Sequence, residues 1–167
     1  MTHHGKDLSD AKLLNDKIKG IHVAMLTTMD ADGKLHSRPM VTQDEDFDGD
    51  LWFFTYDNAP KVGNVAAHPE VNLSYVKESD NLYVSVSGTA ELVRDRKKMD
   101  DLWKPSLKTW FPNGTGDPHL ALLKVHVESA EIWDIPSGKM GRLYSAVRSL
   151  ATGGKEVITE DIKLDMK

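Results

Sequence analysis

Two cations and a hydroxyl lie close together in the segment from Gly33 to Lys61, namely Ser37, Arg38 and Lys61. Arg38 offers a planar fork of donors that suits phosphate, whereas Lys61 is a mobile point charge. Lys61 stands at the predicted start of a helix, where free backbone N–H groups favour anions. The same segment contains the aromatic strand LWFFTY, from Leu51 to Tyr56. These residues predict an anion site beside apolar and aromatic side chains.

A ligand with a phosphate tail and a flat ring suits such a site, and flavin mononucleotide (FMN) fits that description. The sequence contains neither G-x-G-x-x-G nor G-x-x-x-x-G-K-[ST], so a Rossmann or P-loop mode of nucleotide binding is not predicted. No G-x-S-x-G elbow or Ser-His-Asp order indicates a hydrolase.

Metal sites are not predicted either. The acidic loop from Asp44 to Gly49 matches the first half of a calcium loop, but its twelfth position is Thr55 where a bidentate Glu is needed. We expect a solvated hairpin loop there. The seven histidines show no zinc-binding pair. Among them His36 shares a strand face with Arg38, and either a chemical role or a partly exposed strand position fits it.

The composition sets the class of protein. A chain of 167 residues without cysteine predicts one domain, spanning residues 1–167, without disulfides or thiolate chemistry. A net charge of −5 and a pI near 5.8 argue against binding to nucleic acid or to an anionic membrane. The polar start of the chain has no apolar export segment. We therefore expect a cytoplasmic protein.

Hydrophobic periodicity and turn residues predict an α+β fold with a small antiparallel barrel of about six strands and flanking helices. We expect Leu51–Tyr56 to be a central strand because it is almost wholly apolar, Asn58 to cap the next helix, and Gly88 to mark a bend. The predicted helices cover residues 7–19, 58–67, 94–103, 106–111 and 139–150, and the predicted strands cover 21–29, 34–43, 51–56, 71–76, 82–93, 120–134 and 156–161.

The four tryptophans are mostly expected in the core, since aromatic side chains supply much of a small barrel's burial. Trp133, near the end of the last long strand, is the best candidate for packing on a ligand ring. A core position is the alternative for it.

From Arg38 to Lys61 the chain resembles the pyridoxamine 5′-phosphate oxidase-related, FMN-binding split-barrel superfamily. The segments HSRPM and LWFFT are most similar to its bacterial general stress protein branch. The oxidase pattern R-x-V-x-x-K is matched at Arg38, with Met40 in place of Val. An aromatic-Thr pair follows at Phe54 and Thr55, and Lys61 falls six residues later, at the position of the phosphate-binding Lys.

The resemblance continues to about residue 150 and begins near residue 8. HPEVNLSY (68–75) and VSGTAEL (86–92) resemble family segments, which places Tyr83 where the oxidase has a flavin-contacting Gln. EIWD (131–134) places Trp133 where a family Trp meets the cofactor.

The resemblance implies a split β-barrel homodimer with two FMN molecules in clefts shared by both subunits, FAD being the alternative cofactor. It implies that Arg38, Thr55 and Lys61 hold the phosphate. Side chains along the ribityl chain and ring would be Ser37, Pro39, Met40 and Phe54, while Tyr83 and Trp133 would come from the partner.

Three functions agree with these implications. They are a flavin-dependent oxidoreductase acting on an unknown small molecule, a flavin-binding carrier or sensor without turnover, and a barrel used only for protein contacts.

Departures from the oxidase pattern concern the substrate end. Gln43 replaces the final Lys of R-x-V-x-x-K, and Pro60 replaces a basic residue before Lys61. The R-L-H-x-R signature that grips the vitamin substrate is Arg142-Leu143-Tyr144-Ser145-Ala146. We therefore predict that the chain does not oxidise pyridoxamine 5′-phosphate efficiently.

Overall fold

The computed structural model describes residues 3–135 and 160–166. These residues contain seven strands and three α-helices. The helices are α1 (His3–Ile18), α2 (Pro60–Ala67) and α3 (Arg96–Leu102). The strands are β1 (Val23–Met29), β2 (Leu35–Val41), β3 (Asp50–Tyr56), β4 (Glu70–Lys77), β5 (Leu82–Val93), β6 (Leu120–Asp134) and β7 (Glu160–Asp165). Short 3₁₀ helices cover Glu78–Asp80, Pro105–Thr109 and Gly114–Gly116.

The strands form one antiparallel sheet in the order β2-β1-β4-β5-β6-β3, and β7 also pairs with β6. The sheet curls so far that its two ends, β2 and β3, contact each other. This arrangement confirms the predicted α+β split barrel.

The pairing of β5 with β6 contains an irregularity. The register of β5 against β6 shifts between Ser87 and Gly88. A Cβ atom on Gly88 would collide with the backbone carbonyl of His126, so only glycine allows this close approach. The predicted bend at Gly88 is confirmed.

Two clusters of buried side chains fill the fold, and β3 lies between them. Phe53 belongs to the larger cluster inside the barrel, together with Leu14 and Ile18 of α1. Phe54 belongs to the smaller cluster under α3, with Met99 and Leu102. Because both faces of β3 are covered in this way, the strand is apolar throughout although it lies at the end of the sheet. The prediction of a central strand was wrong.

Other element bounds also differ from prediction. The N-cap of α2 is Ala59, without a side-chain hydrogen bond, so the predicted Asn58 cap was wrong. Asp95 caps α3 by accepting a hydrogen bond from the backbone N–H of Lys98 at 3.1 Å. The final strand runs from 160 to 165, later than predicted. The helix predicted over 139–150 lies outside the described residues.

None of the helices within the described residues is long and apolar enough to cross a bilayer.

Candidate functional site

Arg38 sits on β2 opposite Leu26 of β1, with its side chain on the inner face of the curled sheet. Its Nη1 donates a hydrogen bond to the Thr28 hydroxyl at 2.7 Å and approaches the Leu26 carbonyl oxygen at 3.3 Å. Burial lowers the pKa of the Arg38 guanidinium from its usual value, because a low-dielectric surrounding disfavours charge. The side chain is therefore oriented by β1 and partly removed from water.

Lys61 lies in the first turn of α2 and is partly buried. Burial lowers the pKa of its amine, and the nearby positive charge of Arg38 lowers it further. Neither cation has a carboxylate partner among the ion pairs of residues 3–135 and 160–166. Two neighbouring positive charges without a counter-ion among the described residues are suited to an anionic ligand.

Asn64, one turn further along α2 than Lys61, also lies close to Thr28. Its Nδ2 lies 3.5 Å from the Thr28 hydroxyl oxygen. Thr28 is therefore shared by an arginine from β2 and an amide from α2. The cationic end of the site, defined as Arg38, Lys61, Thr28 and Asn64, is assembled from three elements.

A cleft of about 140 Å³ opens beside this cationic end. Its lining is mainly apolar, with Lys61 and Gln43 as its charged and amide groups. The lining residues are Val23, Pro39, Met40, Val41, Gln43, Phe54, Thr55, Tyr56, Lys61, Leu107, Trp110 and Phe111.

Packed aromatic rings form the opposite end of the cleft. Phe54 is only 4% exposed, and its ring meets Trp103 edge to face with 5.5 Å between centroids. Phe111 lies 6.1 Å from Phe54 and 5.2 Å from Tyr56 by the same measure. Trp110 differs because 61% of it is exposed while it lines the cleft. These five residues are called the aromatic end below.

The cleft brings together five of the nine residues predicted for the site. They are Pro39, Met40, Phe54, Thr55 and Lys61. Thr55 is 1% exposed, and its hydroxyl approaches the Tyr56 carbonyl oxygen at 3.4 Å. Arg38 adjoins Lys61, whose pKa its charge lowers.

Ser37 does not join this group. Strand alternation turns it to the outer face of the sheet, where its hydroxyl lies 2.7 Å from the Thr27 hydroxyl. Tyr83 and Trp133 also lie elsewhere within the chain: they face each other across β5 and β6 and do not line the cleft. Tyr83 is 38% exposed.

His36 belongs to the hairpin between β1 and β2. Its Nε2 lies 2.9 Å from the Asp30 carboxylate, which also accepts backbone hydrogen bonds from Asp32 and Lys34. The hydrogen bond with His36 is the main reason that the pKa of Asp30 is lowered. In this structure His36 stabilises a turn.

The acidic loop between β2 and β3 pairs with lysines. Asp44 lies 2.9 Å from Lys104, and Glu45 lies 3.1 Å from Lys98. Over the described ranges, no group of three or more His, Asp or Glu side chains is placed to hold a metal ion.

Sequence analysis missed several residues of the site, among them Thr28, Asn64 and Trp110. Asn64 follows Lys61 by three positions, a helical spacing that places both on one side of α2. Arg38 of β2 pairs with Leu26 of β1. Thr28 is two residues further along β1 and therefore lies on the same face of the sheet as Leu26. The tryptophan was expected in the core, and nothing in its local sequence indicates that it is exposed.

Known proteins resemble this chain along most of its length. A curated relative, protein bli-3 of Neurospora crassa, is 28% identical over 140 residues, which are 78% of this chain and 67% of the relative.

Two solved structures share the fold. General stress protein 26 from Bacillus anthracis str. Sterne is 26% identical with a TM-score of 0.65, over 73% of this chain and 92% of its own. The general stress FMN/FAD binding protein from Xanthomonas citri is 30% identical with a TM-score of 0.65, over 77% and 90%. Residues 9–157 match the family described as "Pyridoxamine 5′-phosphate oxidase like". The chain therefore belongs to the pyridoxamine 5′-phosphate oxidase-like family of split barrels.

Proposed function

We propose that this protein binds FMN, with the phosphate at the cationic end and the flavin ring along the cleft. The observation that carries the proposal is the pair Arg38 and Lys61. These partly buried cations have no carboxylate partner within the described residues, and they stand beside a cleft lined with aromatic and apolar groups. A phosphate supplies the missing charge, and the cleft suits a flat ring. FAD is the alternative ligand.

The named property of a relative supports flavin binding. The similar protein from Xanthomonas citri is described as an FMN/FAD binding protein. In this chain Arg38, Lys61 and Thr55 would hold the phosphate, while Pro39, Met40 and Phe54 would lie along the ribityl chain and ring. Ser37 would need to reach the ligand from the outer face.

The reaction class we favour is oxidation or reduction of a small molecule. A bound flavin supplies the redox chemistry, whereas the chain binds it, orients its ring and excludes water. A carrier or sensor role without turnover is the second candidate, and the described lining of the cleft, with Lys61 and Gln43 as its charged and amide groups, is compatible with it. The absence of cysteine fits a reducing compartment, which is why we propose the cytoplasm.

We further propose a homodimer in which each flavin contacts both subunits. The cleft of one chain holds about 140 Å³, whereas sites for ligands of this size usually enclose roughly 300–1,000 Å³. The small volume supports a site that a second chain would complete. Tyr83 and Trp133, which lie away from the cleft of their own chain, would complete the cleft of the partner.

The outer face of the sheet is the surface we assign to this dimer. On β1, β4 and β5 it exposes the apolar residues Val23, Met25, Val76 and Tyr83. Between them stand uncharged side chains, including Thr27, Asn72, Ser74, Ser85 and Ser87. These apolar and uncharged side chains form a continuous stretch of the face, with the charged Glu70 at the start of β4 and Glu131 of β6 beside Ser85. Exposed apolar surface of this kind is typical of an interface between subunits.

The first test is the colour of the purified protein. An absorption spectrum, with chromatography of the cofactor released on denaturation, is expected to show FMN. A protein that is colourless and does not take up added FMN or FAD would contradict flavin binding. If flavin is bound, its anaerobic reduction followed by a screen of acceptors separates an oxidoreductase from a carrier.

Sedimentation with and without FMN tests the dimer. Since ligand and assembly share a site, FMN is expected to shift the equilibrium toward the dimer and to raise stability. A stable monomer that binds FMN with undiminished affinity would contradict the shared cleft.

A further inference from the structure

Thr28 stands between the two elements that carry the cations. It is 1% exposed, and with Thr55 it is one of two polar residues that are fully buried within the described ranges. A buried hydroxyl needs hydrogen-bond partners, because leaving it without them is costly. Its partners are the Arg38 guanidinium at 2.7 Å and the Asn64 amide at 3.5 Å.

The directions of these hydrogen bonds are fixed by chemistry. Guanidinium and amide nitrogens only donate, so the Thr28 oxygen accepts from both and uses its two lone pairs. One Nη of Arg38 is thereby held against β1, and the backbone oxygen of Leu26 helps to hold it. The remaining N–H groups of the guanidinium are available to a ligand in a set orientation.

We propose that Thr28 is a positioning residue, which with Asn64 fixes the orientation in which Arg38 grips a terminal phosphate group. This inference rests on the proposed function in one respect, that the ligand is a phosphate monoester such as FMN. Preorganised donors bind better because less side-chain freedom is lost on binding.

The preceding residue provides a matched control. Thr27 has the same side chain on the same strand but faces outward, where its hydroxyl lies 2.7 Å from the Ser37 hydroxyl. Thr27→Val and Thr28→Val therefore remove the same atom from opposite faces of β1.

The first experiment compares FMN with riboflavin, which has the same ring without the phosphate. Thr28→Val is expected to weaken FMN binding about tenfold, in keeping with the loss of one hydrogen bond to a charged group. It is expected to leave riboflavin binding unchanged, since the ring is assigned to the cleft, whose lining does not include Arg38. Thr28→Ser, which keeps the hydroxyl, should restore FMN affinity to within about twofold. Thr27→Val, on the outer face, should change FMN and riboflavin affinity by the same factor, because Thr27 does not contact Arg38.

A double-mutant cycle shows whether Thr28 acts through Arg38. In an Arg38→Ala background, Thr28→Val is expected to cause no further loss of FMN affinity. Additive losses, equal losses for FMN and riboflavin, or wild-type affinity in Thr28→Val would each overturn the proposal. If Thr28→Val does not fold, Asn64→Ala takes its place in the same cycle, with the same expected result and the same contradicting outcomes.

Inorganic phosphate separates this inference from flavin binding. Phosphate is expected to raise the melting temperature of the wild type and of Thr27→Val, and to raise that of Thr28→Val much less, compared with chloride at equal ionic strength. A phosphate effect without FMN binding would refute the proposed function and leave Thr28 as a positioning residue. A phosphate effect that is equal in all three proteins, or absent from all three, would refute the role of Thr28.

Discussion

The two ends of the cleft have opposite effects on the stability of the fold. At the aromatic end, Phe54 is almost fully buried and packs edge to face on Trp103, so that burial and ring contacts favour folding. At the cationic end, the lowered pKa values of Arg38 and Lys61 show that the folded chain disfavours their charges. Apart from the exposed Trp110, the aromatic end thus packs with the core, whereas the cationic end carries an electrostatic cost that an anion would relieve.

The largest effect on stability is expected from truncating a side chain of the aromatic end. Phe54→Ala should lower the free energy of unfolding by about 3–5 kcal/mol, because it leaves a cavity beneath Trp103 and Phe111. Urea unfolding measures this loss. The control Leu35→Ala removes a side chain that is 66% exposed and should change stability by less than about 0.5 kcal/mol. A loss below about 1 kcal/mol in Phe54→Ala would show that the aromatic end is not part of the core.

Removal of Arg38 should affect binding and hardly affect folding. Arg38→Ala is expected to weaken FMN by about 1.5–3 kcal/mol, or roughly ten- to 150-fold, through loss of a charge-assisted phosphate contact. Isothermal titration of apoprotein measures it, with riboflavin as the ligand that should be little affected.

Lys77→Ala is the control for Arg38→Ala, because Lys77 lies at the end of β4 and, within the described ranges, its ion pair is with the exposed Asp80 at 2.6 Å. Equal FMN affinity in the two variants would remove Arg38 from the site.

The sequence predicts the cationic end and the aromatic end of the cleft to different extents. The spacing from Thr55 to Lys61, together with the Arg38 strand, was enough to predict an anion site, because it depends on a short turn and a helix start. The contribution of Thr28 and Asn64 was not predicted. It depends on the register of β1 with β2 and on how α2 docks, which no local pattern specifies.

The aromatic end was harder to predict. Alternation of apolar and polar residues identifies strands that have one solvent-exposed face. Because β3 is covered on both faces, it is apolar throughout, and its apolar run indicated a central strand. The cover comes from residues 96–111, whose contact with β3 is a long-range feature. Likewise, the exposure of Trp110 depends on how the Pro105–Thr109 turn packs through Leu107, and composition alone favoured a core position.

Trp110 tests the ring side of the comparison. Trp110→Ala should weaken FMN and riboflavin alike, by about 1 kcal/mol or some fivefold, because a ring contact does not depend on the phosphate. Flavin fluorescence titration measures both affinities. Trp110→Phe should keep most of the binding, and Trp52→Phe, a substitution outside the cleft, should keep all of it. A loss confined to FMN would place Trp110 with the phosphate end instead.

The smallest effect concerns the stability of the apoprotein. It is also the effect most specific to the cationic end. Lys61→Met keeps most of the apolar stem and removes the charge, so at neutral pH the apoprotein should be as stable as the wild type or slightly more stable, within about 0.5 kcal/mol. FMN binding should weaken in the same variant. Lys77→Met, which breaks an exposed ion pair, should alter neither property appreciably.

The pH dependence of this difference follows from the direction of the Lys61 pKa shift. Since the pKa in the folded chain is below the usual 10.5, the folded and unfolded states are both protonated at neutral pH, and the penalty for burying the charge is fully present. Between the lowered pKa and 10.5, the folded state releases its proton first, so the wild type gains stability relative to Lys61→Met as pH rises. Affinity for FMN should fall over the same range, because the cation that meets the phosphate is lost. Thermal unfolding and FMN titration at a series of alkaline pH values measure both trends, and parallel stability curves for the two proteins would show that Lys61 is not held at an electrostatic cost.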